Sequence, residues 1–334
     1  MLRRVALCLF GVLLALPATA QVRDTWTGRL MFENDVLWVD DSDRHYSNGI
    51  RLEARGREGH IWSWIAGPGR WLTGAGRDTP QRMGLALGHN IYTPEDIKTE
   101  ELVEDDRPYA AWLHGDISVV AREGRTRTEA TLSLGVVGPA ARGEEMQRWF
   151  HGIIDSPIPA GWDNQLSNEP AVLLVVQRGW GDLVPPRPAP LLGEQGLDWD
   201  LVPHADLALG NVFVHAAGGA VLRLGNDLGW DLGPRRIRPT AAGGDLACGR
   251  RGFVWSVLGG VTGRAVVRNI FLDGNTFTDS HSVEKNSFVG DAWYGLTLSW
   301  GGLRTSFIHT IRSPEFEGQR RPDHFGSITV AWSP

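Results

Sequence analysis

The sequence is short of cysteine, lysine and long apolar runs. It has two cysteines, Cys8 and Cys248, and only Lys98 and Lys285 as lysines among 33 basic residues. After residue 20 no stretch of 18 residues is uninterruptedly apolar, which excludes a transmembrane helix of the usual length. The formal charge of −6 argues against a general nucleic-acid binder, so no nucleic-acid partner is expected. No G-x-S-x-G elbow, H-E-x-x-H pair, Walker A loop or dinucleotide fingerprint appears, which removes the common hydrolase, zinc-peptidase and nucleotide-binding templates. With 42% apolar and 22% charged residues, the 334-residue chain is neither disordered nor fibrous.

The first twenty residues read as a secretory signal. Arg3 and Arg4 precede an apolar core from Val5 to Leu16, and Pro17-Ala18-Thr19-Ala20 offers a small-residue cleavage site. Cleavage after Ala20 leaves 314 of 334 residues, starting at Gln21, and takes the charge from −6 to −8. Cys8 leaves with this segment, so Cys248 has no partner for an internal disulfide. A lipidated Cys8 is disfavoured because that residue lies inside the apolar core rather than at its end. The expected organisation is a signal peptide over 1–20 and one domain over 21–334.

What is abundant is glycine and tryptophan, 42 and 15 residues. Glycine and tryptophan at this level suit short strands and tight turns, and the apolar period is mostly two. Leu132, Leu134 and Val136 alternate with Thr131, Ser133 and Gly135. Tyr294, Leu296, Leu298 and Trp300 alternate with Gly295, Thr297 and Ser299, and Ile328, Val330 and Trp332 with Ser327, Thr329 and Ala331. A soluble sandwich would carry more Lys, Glu and Thr on its polar face. A transmembrane barrel turns its apolar face to lipid and its small or polar face to the lumen, with tryptophans at the interfaces, and is the better match. One segment, Gly143 to Asp155, has helical spacing instead. It aligns Met146, Phe150 and Ile153 on one stripe and Glu144, Gln147, His151 and Asp155 on the next. A helix plugging or capping a barrel is the bland reading. The Pro/Gly-rich stretch from Pro185 to Gly196 reads as a long loop, because strands continue on both sides.

Four segments are able to carry chemistry. At 32–53, regular alternation would place Asn34 on the apolar parity and Asp35 on the inner one; Asp, Asn and Ser oxygens suit calcium, but equally a turn. The spacing is not that of an EF-hand loop. His151, with Gln147 and Asp155 one turn away, has the setting of a general base, or of a solvated loop histidine. Ser47 as a nucleophile would need a neighbouring base. The run from Gly88 to Trp112, with charge concentrated at Asp105 to Tyr109, and the stretch 161–170 read as polar turns or as parts of a site.

Taken in order, FEND (32–35), DRHYSNG (43–49), YTPEDI (92–97), DDRPYAAW (105–112), Q-x-x-x-H (147–151), GWDNQLSNEP (161–170), RNIFLDGNTF (268–277) and EFEGQ (315–319) resemble the outer-membrane lipid A 3′-O-deacylase family. The resemblance implies an all-β fold, a transmembrane antiparallel barrel of about twelve strands with a short extracellular loop helix, in the outer membrane. It implies a hydrolase that removes the 3′-linked acyloxyacyl chain of lipid A (lipopolysaccharide) with calcium and a phospholipase A2-like mechanism. Asn34 and Asp35 then match the pair that helps build the calcium site, Ser47 the hydroxyl of Y-[ST]-N-G, and His151 the histidine that activates water. Asp155 or Glu144 is expected to orient its imidazole. Arg44 and Arg107 become candidates for lipid A phosphates, and a monomer is expected. Two departures stand out: Ala111 where the family usually has Gly, and an end in Trp332-Ser333-Pro334 rather than on an aromatic residue. The rival reading is a non-catalytic structural or pore-forming barrel that keeps the fold without turnover.

Overall fold

In the computed structural model, the described residues are 26–37, 45–189, 196–230, 232–233 and 252–333. The expected signal peptide, Arg44 and Cys248 lie outside them. Twelve antiparallel strands close into a barrel: β1 (Thr27–Asn34), β2 (His45–Arg55), β3 (Gln81–Thr93), β4 (Ala110–Glu123), β5 (Thr126–Val137), β6 (Glu169–Trp180), β8 (Asp198–Gly210), β9 (Phe213–Gly225), β10 (Phe253–Asn269), β11 (Phe288–Trp300), β12 (Leu303–Arg312) and β13 (Asp323–Trp332). Pairing of β1 with β13 and of β6 with β8 closes the ring; a short strand, β7 (Val184–Pro188), extends the edge of β8. Closure leaves no open sheet edge for lipid to meet.

The alternating segments fall as a barrel requires. Leu132 and Leu134, Leu296 and Leu298, and Leu207 and Leu209 are exposed on the outer face. The opposite parity is buried and charged. Arg55 bonds Glu53 at 2.7 Å and Glu129 at 3.0 Å, Arg223 reaches Asp200 at 2.8 Å, and Arg264 and Arg312 both bond Asp291. The lumen is thus packed with paired charges. Unpaired, each would be costly away from water.

Two helices lie outside the wall, both over β3 and β4 but at opposite ends. Helix α1 (Ser63–Thr73) packs Ile65 on Met83 and Val119 near the end where β1 begins. Helix α2 (Gly143–Ile154) lies at the other end, where Ile91, Ala111 and Trp162 form its bed with Met146. The bland expectation of a plug therefore fails for α2. The lumen is capped at that end instead by Ile270–Asp273, whose Phe271 stacks on Tyr92 at 3.8 Å.

Candidate active site

Beside the apolar bed of α2 the outer wall carries polar groups, where lipid-facing barrel surface is normally apolar. β1 ends at Asn34, on the outward parity with Leu30 and Phe32, and Asp35 opens a short 3-10 turn. Asp35 therefore does not continue onto the inner parity, as regular alternation predicts. Asn34 stands directly opposite Asn48 on β2, and Asn48 opposite Ile91 on β3. A bulge between Tyr46 and Asn48 makes Ser47 the extra residue. This breaks the period, so that Tyr46 turns into the lumen to bond Glu33 while Ser47 Oγ meets Thr93 Oγ1 at 2.6 Å. The Ser47 carbonyl accepts the Asn34 amide at 2.7 Å, which fixes that side chain. Asn34, Asp35, Ser47, Asn48 and Thr93 are all buried.

Helix α2, which reaches β1 through Phe150, turns part of its polar side inward. Its buried residues are Gly143, Gln147, His151 and Ile154, whereas Trp149 and Ile153 face outward. Phe150, next to His151, packs on outward-facing Phe32 at 5.6 Å between ring centroids. Gln147 accepts the Trp162 indole N–H at 2.9 Å. A Cβ on Gly143 would come within 2.5 Å of Trp162 and Ala111, so this glycine sets how closely the helix approaches. The Ala111 methyl occupies that same gap, opposite the missing Cβ of Gly143.

The His151 ring is held by a main-chain group. Its Nδ1 lies 2.5 Å from the carbonyl of Pro157. A carbonyl only accepts, so Nδ1 carries the proton and Nε2 is the basic nitrogen. The carboxylates expected to orient the ring do other work: Asp155 caps the helix in the left-handed conformation (φ 59°), and Glu144 pairs with Arg148 at 2.9 Å.

The expectation for Arg107 needs correction. It is buried at 1% exposure, donates to Glu315 at 3.0 Å and lies over the Phe316 ring. A guanidinium committed to the lumen cap is not available to a lipid phosphate outside the wall. The other motifs similarly knit the cap: the Glu169 carboxylate accepts from Thr276 and Asn275, and Asn275 accepts from the Ser167 amide. Burial pushes the Glu315 carboxyl up, but Arg312, Arg107 and Arg264 outweigh it and hold it below its ordinary value.

Sequence reasoning missed Asn48. Its Oδ1 is buried and accepts no hydrogen bond, an arrangement that a bound cation would satisfy. Among the described residues no three His, Cys, Asp or Glu side chains form a metal group. The available donors are instead one carboxylate and amide oxygens, which fit a hard cation rather than zinc.

A family model described as outer membrane protein LpxR matches residues 5–333. The chain belongs to the LpxR family. That places this family member in the outer membrane, among enzymes that act on lipid A. The fold of LpxR from Salmonella typhimurium is similar, with TM-score 0.71 and 20% identity over 92% of this chain and 99% of that one. The translocator domain of autotransporter NalP from Neisseria meningitidis shares 10% identity over 100% of this chain and 95% of its own, at a TM-score of 0.39 too low to carry an argument. No curated protein matches the chain by sequence.

Proposed function

We propose that this protein is a calcium-dependent lipid A 3′-O-deacylase whose base is His151. The observation that carries the reading is a buried polar patch on the lipid-facing wall, Asn34 to Thr93, flanked by a helix that packs Phe150 on Phe32 and buries Gln147 and His151. Burying amides, hydroxyls and an imidazole at the membrane surface is unfavourable unless they meet a polar ligand there.

The chemistry follows from the tautomer. With Nδ1–H held by Pro157, Nε2 takes a proton from water as its oxygen attacks the ester carbonyl carbon. The tetrahedral oxyanion then collapses, expelling the sugar 3′-alkoxide, which recovers the proton from Nε2. The products are a free sugar hydroxyl and the acyloxyacyl carboxylic acid, which ionises by releasing its proton to water. Asn34, Asp35 and Asn48 are the residues that would hold calcium. When bound it supplies positive charge beside the developing oxyanion. Ser47 keeps the Asn34 amide in place through its carbonyl, and its hydroxyl is anchored on Thr93. Trp149 and Ile153 present an apolar surface to the acyl chains.

The decisive experiment is mass spectrometry of lipid A from outer membranes carrying wild type or His151→Ala, with calcium or with chelator. Loss of the 3′ acyloxyacyl mass only for calcium-supplied wild type is expected. Intact lipid A with correctly inserted wild type would favour the non-catalytic barrel. The pore version of that rival is opposed by the lumen, which arginine–carboxylate pairs and the Phe271 cap fill.

A further inference from the structure

The outer wall beside the candidate site carries a second polar feature. His309 on β12 and His324 on β13 share the outward parity of Phe307, Ile328 and Val330. Their rings stack at 5.3 Å between centroids and 24° between planes, and His324 Nδ1 lies 3.2 Å from His309 Nε2. Tyr294 closes over the other side of His309 at 5.1 Å, edge on. His309 is buried, whereas His324 is part-exposed.

Registry ties this pair to the site. Tyr294, His309, Gly326, Asn34 and Asn48 form one row across five adjacent strands. His309 is therefore two strands from Asn34, roughly 10 Å at the usual spacing. Between them stands Gly326, with Leu37 of the turn after Asn34 lying over it. Two imidazoles on lipid-facing wall are as anomalous as the amides beside them. They do not join a third His, Cys, Asp or Glu into a metal group among the described residues.

We infer that His324, seated on His309, is a phosphate-binding subsite for the lipid A headgroup, beside the ester-cleaving site. This rests on the proposed function. With Nδ1 engaged by His309, the ring nitrogen His324 presents to a ligand is Nε2. When His309 donates through its Nε2, His324 is fixed as the Nε2–H tautomer, a donor to a phosphate oxygen. His309 is thus a positioning residue. The geometry suits the substrate: a 3′-acyl ester and a 4′-phosphate occupy neighbouring carbons of one sugar, so their binding groups must lie close together.

The test is binding of lipid A in detergent micelles by His151→Ala protein, which needs no turnover. Three lipids are compared: lipid A with both phosphates, 4′-dephosphorylated lipid A, and phosphatidylglycerol as a different phosphate-bearing lipid. Affinity about tenfold higher for the bisphosphorylated than for the 4′-dephosphorylated form is expected, the size of one charge-assisted hydrogen bond. Adding His324→Phe or His309→Phe should erase that ratio, and His324→Gln, which keeps an N–H donor, should restore part of it. Because the ratio is taken within each protein, a loss of folded fraction cancels. Equal affinity for the two lipid A forms, or a ratio that survives both Phe variants, overturns the subsite. Equal binding of phosphatidylglycerol and bisphosphorylated lipid A overturns its assignment to the lipid A headgroup. A phosphate-dependent ratio in a protein whose wild type never cleaves lipid A would sustain the subsite and defeat the deacylase instead.

Discussion

Helices α1 and α2 both rest on β4, outside the same barrel, yet they bury different chemistry. α1 buries Ile65, Gly69 and Thr73, with Ile65 on Met83 and Val119, and shows Trp64 and Trp71 outward, at 67% and 82% exposure. It is apolar toward the wall and apolar away from it, as a helix lying at a membrane interface should be. α2 also turns a tryptophan outward, Trp149, but its inner stripe carries Gln147 and His151. In water, amphipathic helices bury the apolar stripe. At a lipid-facing wall the surroundings impose no such sign, so a polar inner face is informative: it marks a site, whereas an apolar one marks an anchor.

The contrast breaks most sharply at the imidazole. His151→Ala should lower deacylation by about 10²–10⁴-fold, the usual contribution of a general base. Trp71→Ser on α1 should leave turnover per inserted molecule unchanged; lipid A mass spectrometry reads both. Next in size is Glu315→Gln in the lumen cap. It leaves Arg107 with a neutral partner and should cost about 3–5 kcal/mol in urea unfolding from detergent. The folded Glu315 carboxyl is held below its unfolded value, so its contribution is present above about pH 4.3 and is lost as pH falls through the folded value. A cap that did not loosen in acid, followed by proteolysis, would contradict this.

The two helices also differ at their glycines. Gly143→Ala would drive a Cβ into Trp162 and Ala111, shift α2 and cut turnover. Gly67→Ala in α1 meets nothing within 4 Å beyond its chain neighbours, and because Pro68 follows it no gain in stability is expected, while α1 should keep its place and turnover should not change. Trp162→Phe, which removes the bond to Gln147, should cost about 1 kcal/mol and lower activity modestly. The smallest effect is expected for Asp155→Asn: the residue caps the helix while a carbonyl holds the His151 ring, so turnover should stay within about twofold, below 0.5 kcal/mol. A large loss there would restore a carboxylate as the orienting group.

Much of the barrel was legible, because period two is a local property that survives any arrangement of strands. Leu132, Leu134, Leu296 and Leu298 are outward as alternation predicts, and the helix at 143–155 ends one residue early, at Ile154. Misreadings came where the period breaks or partners are distant in sequence. The bulge at Ser47 and the turn at Asp35 are single-residue departures that alternation passes over. Arg107 read as a candidate for a lipid A phosphate because its partner, Glu315, is 208 residues away. Asn48 was overlooked because an asparagine in a Y-S-N-G run looks like turn chemistry until its oxygen is seen buried without a donor.

By itself the sequence determined the strand alternation, the lipid-facing parity, one of the two outer helices and the residue types able to hold a cation and a proton; α1 was not read from it. Only the tertiary structure decided that α2 lies outside the wall with Gln147 and His151 inward, that Pro157 sets the His151 tautomer, and that the DDRPYAAW and EFEGQ segments meet in the lumen cap. The physical reason is one of range. Alternation and helical spacing record which side of a segment differs from the other. Which side meets protein and which meets lipid depends on closure of twelve strands and on contacts between residues far apart in the chain.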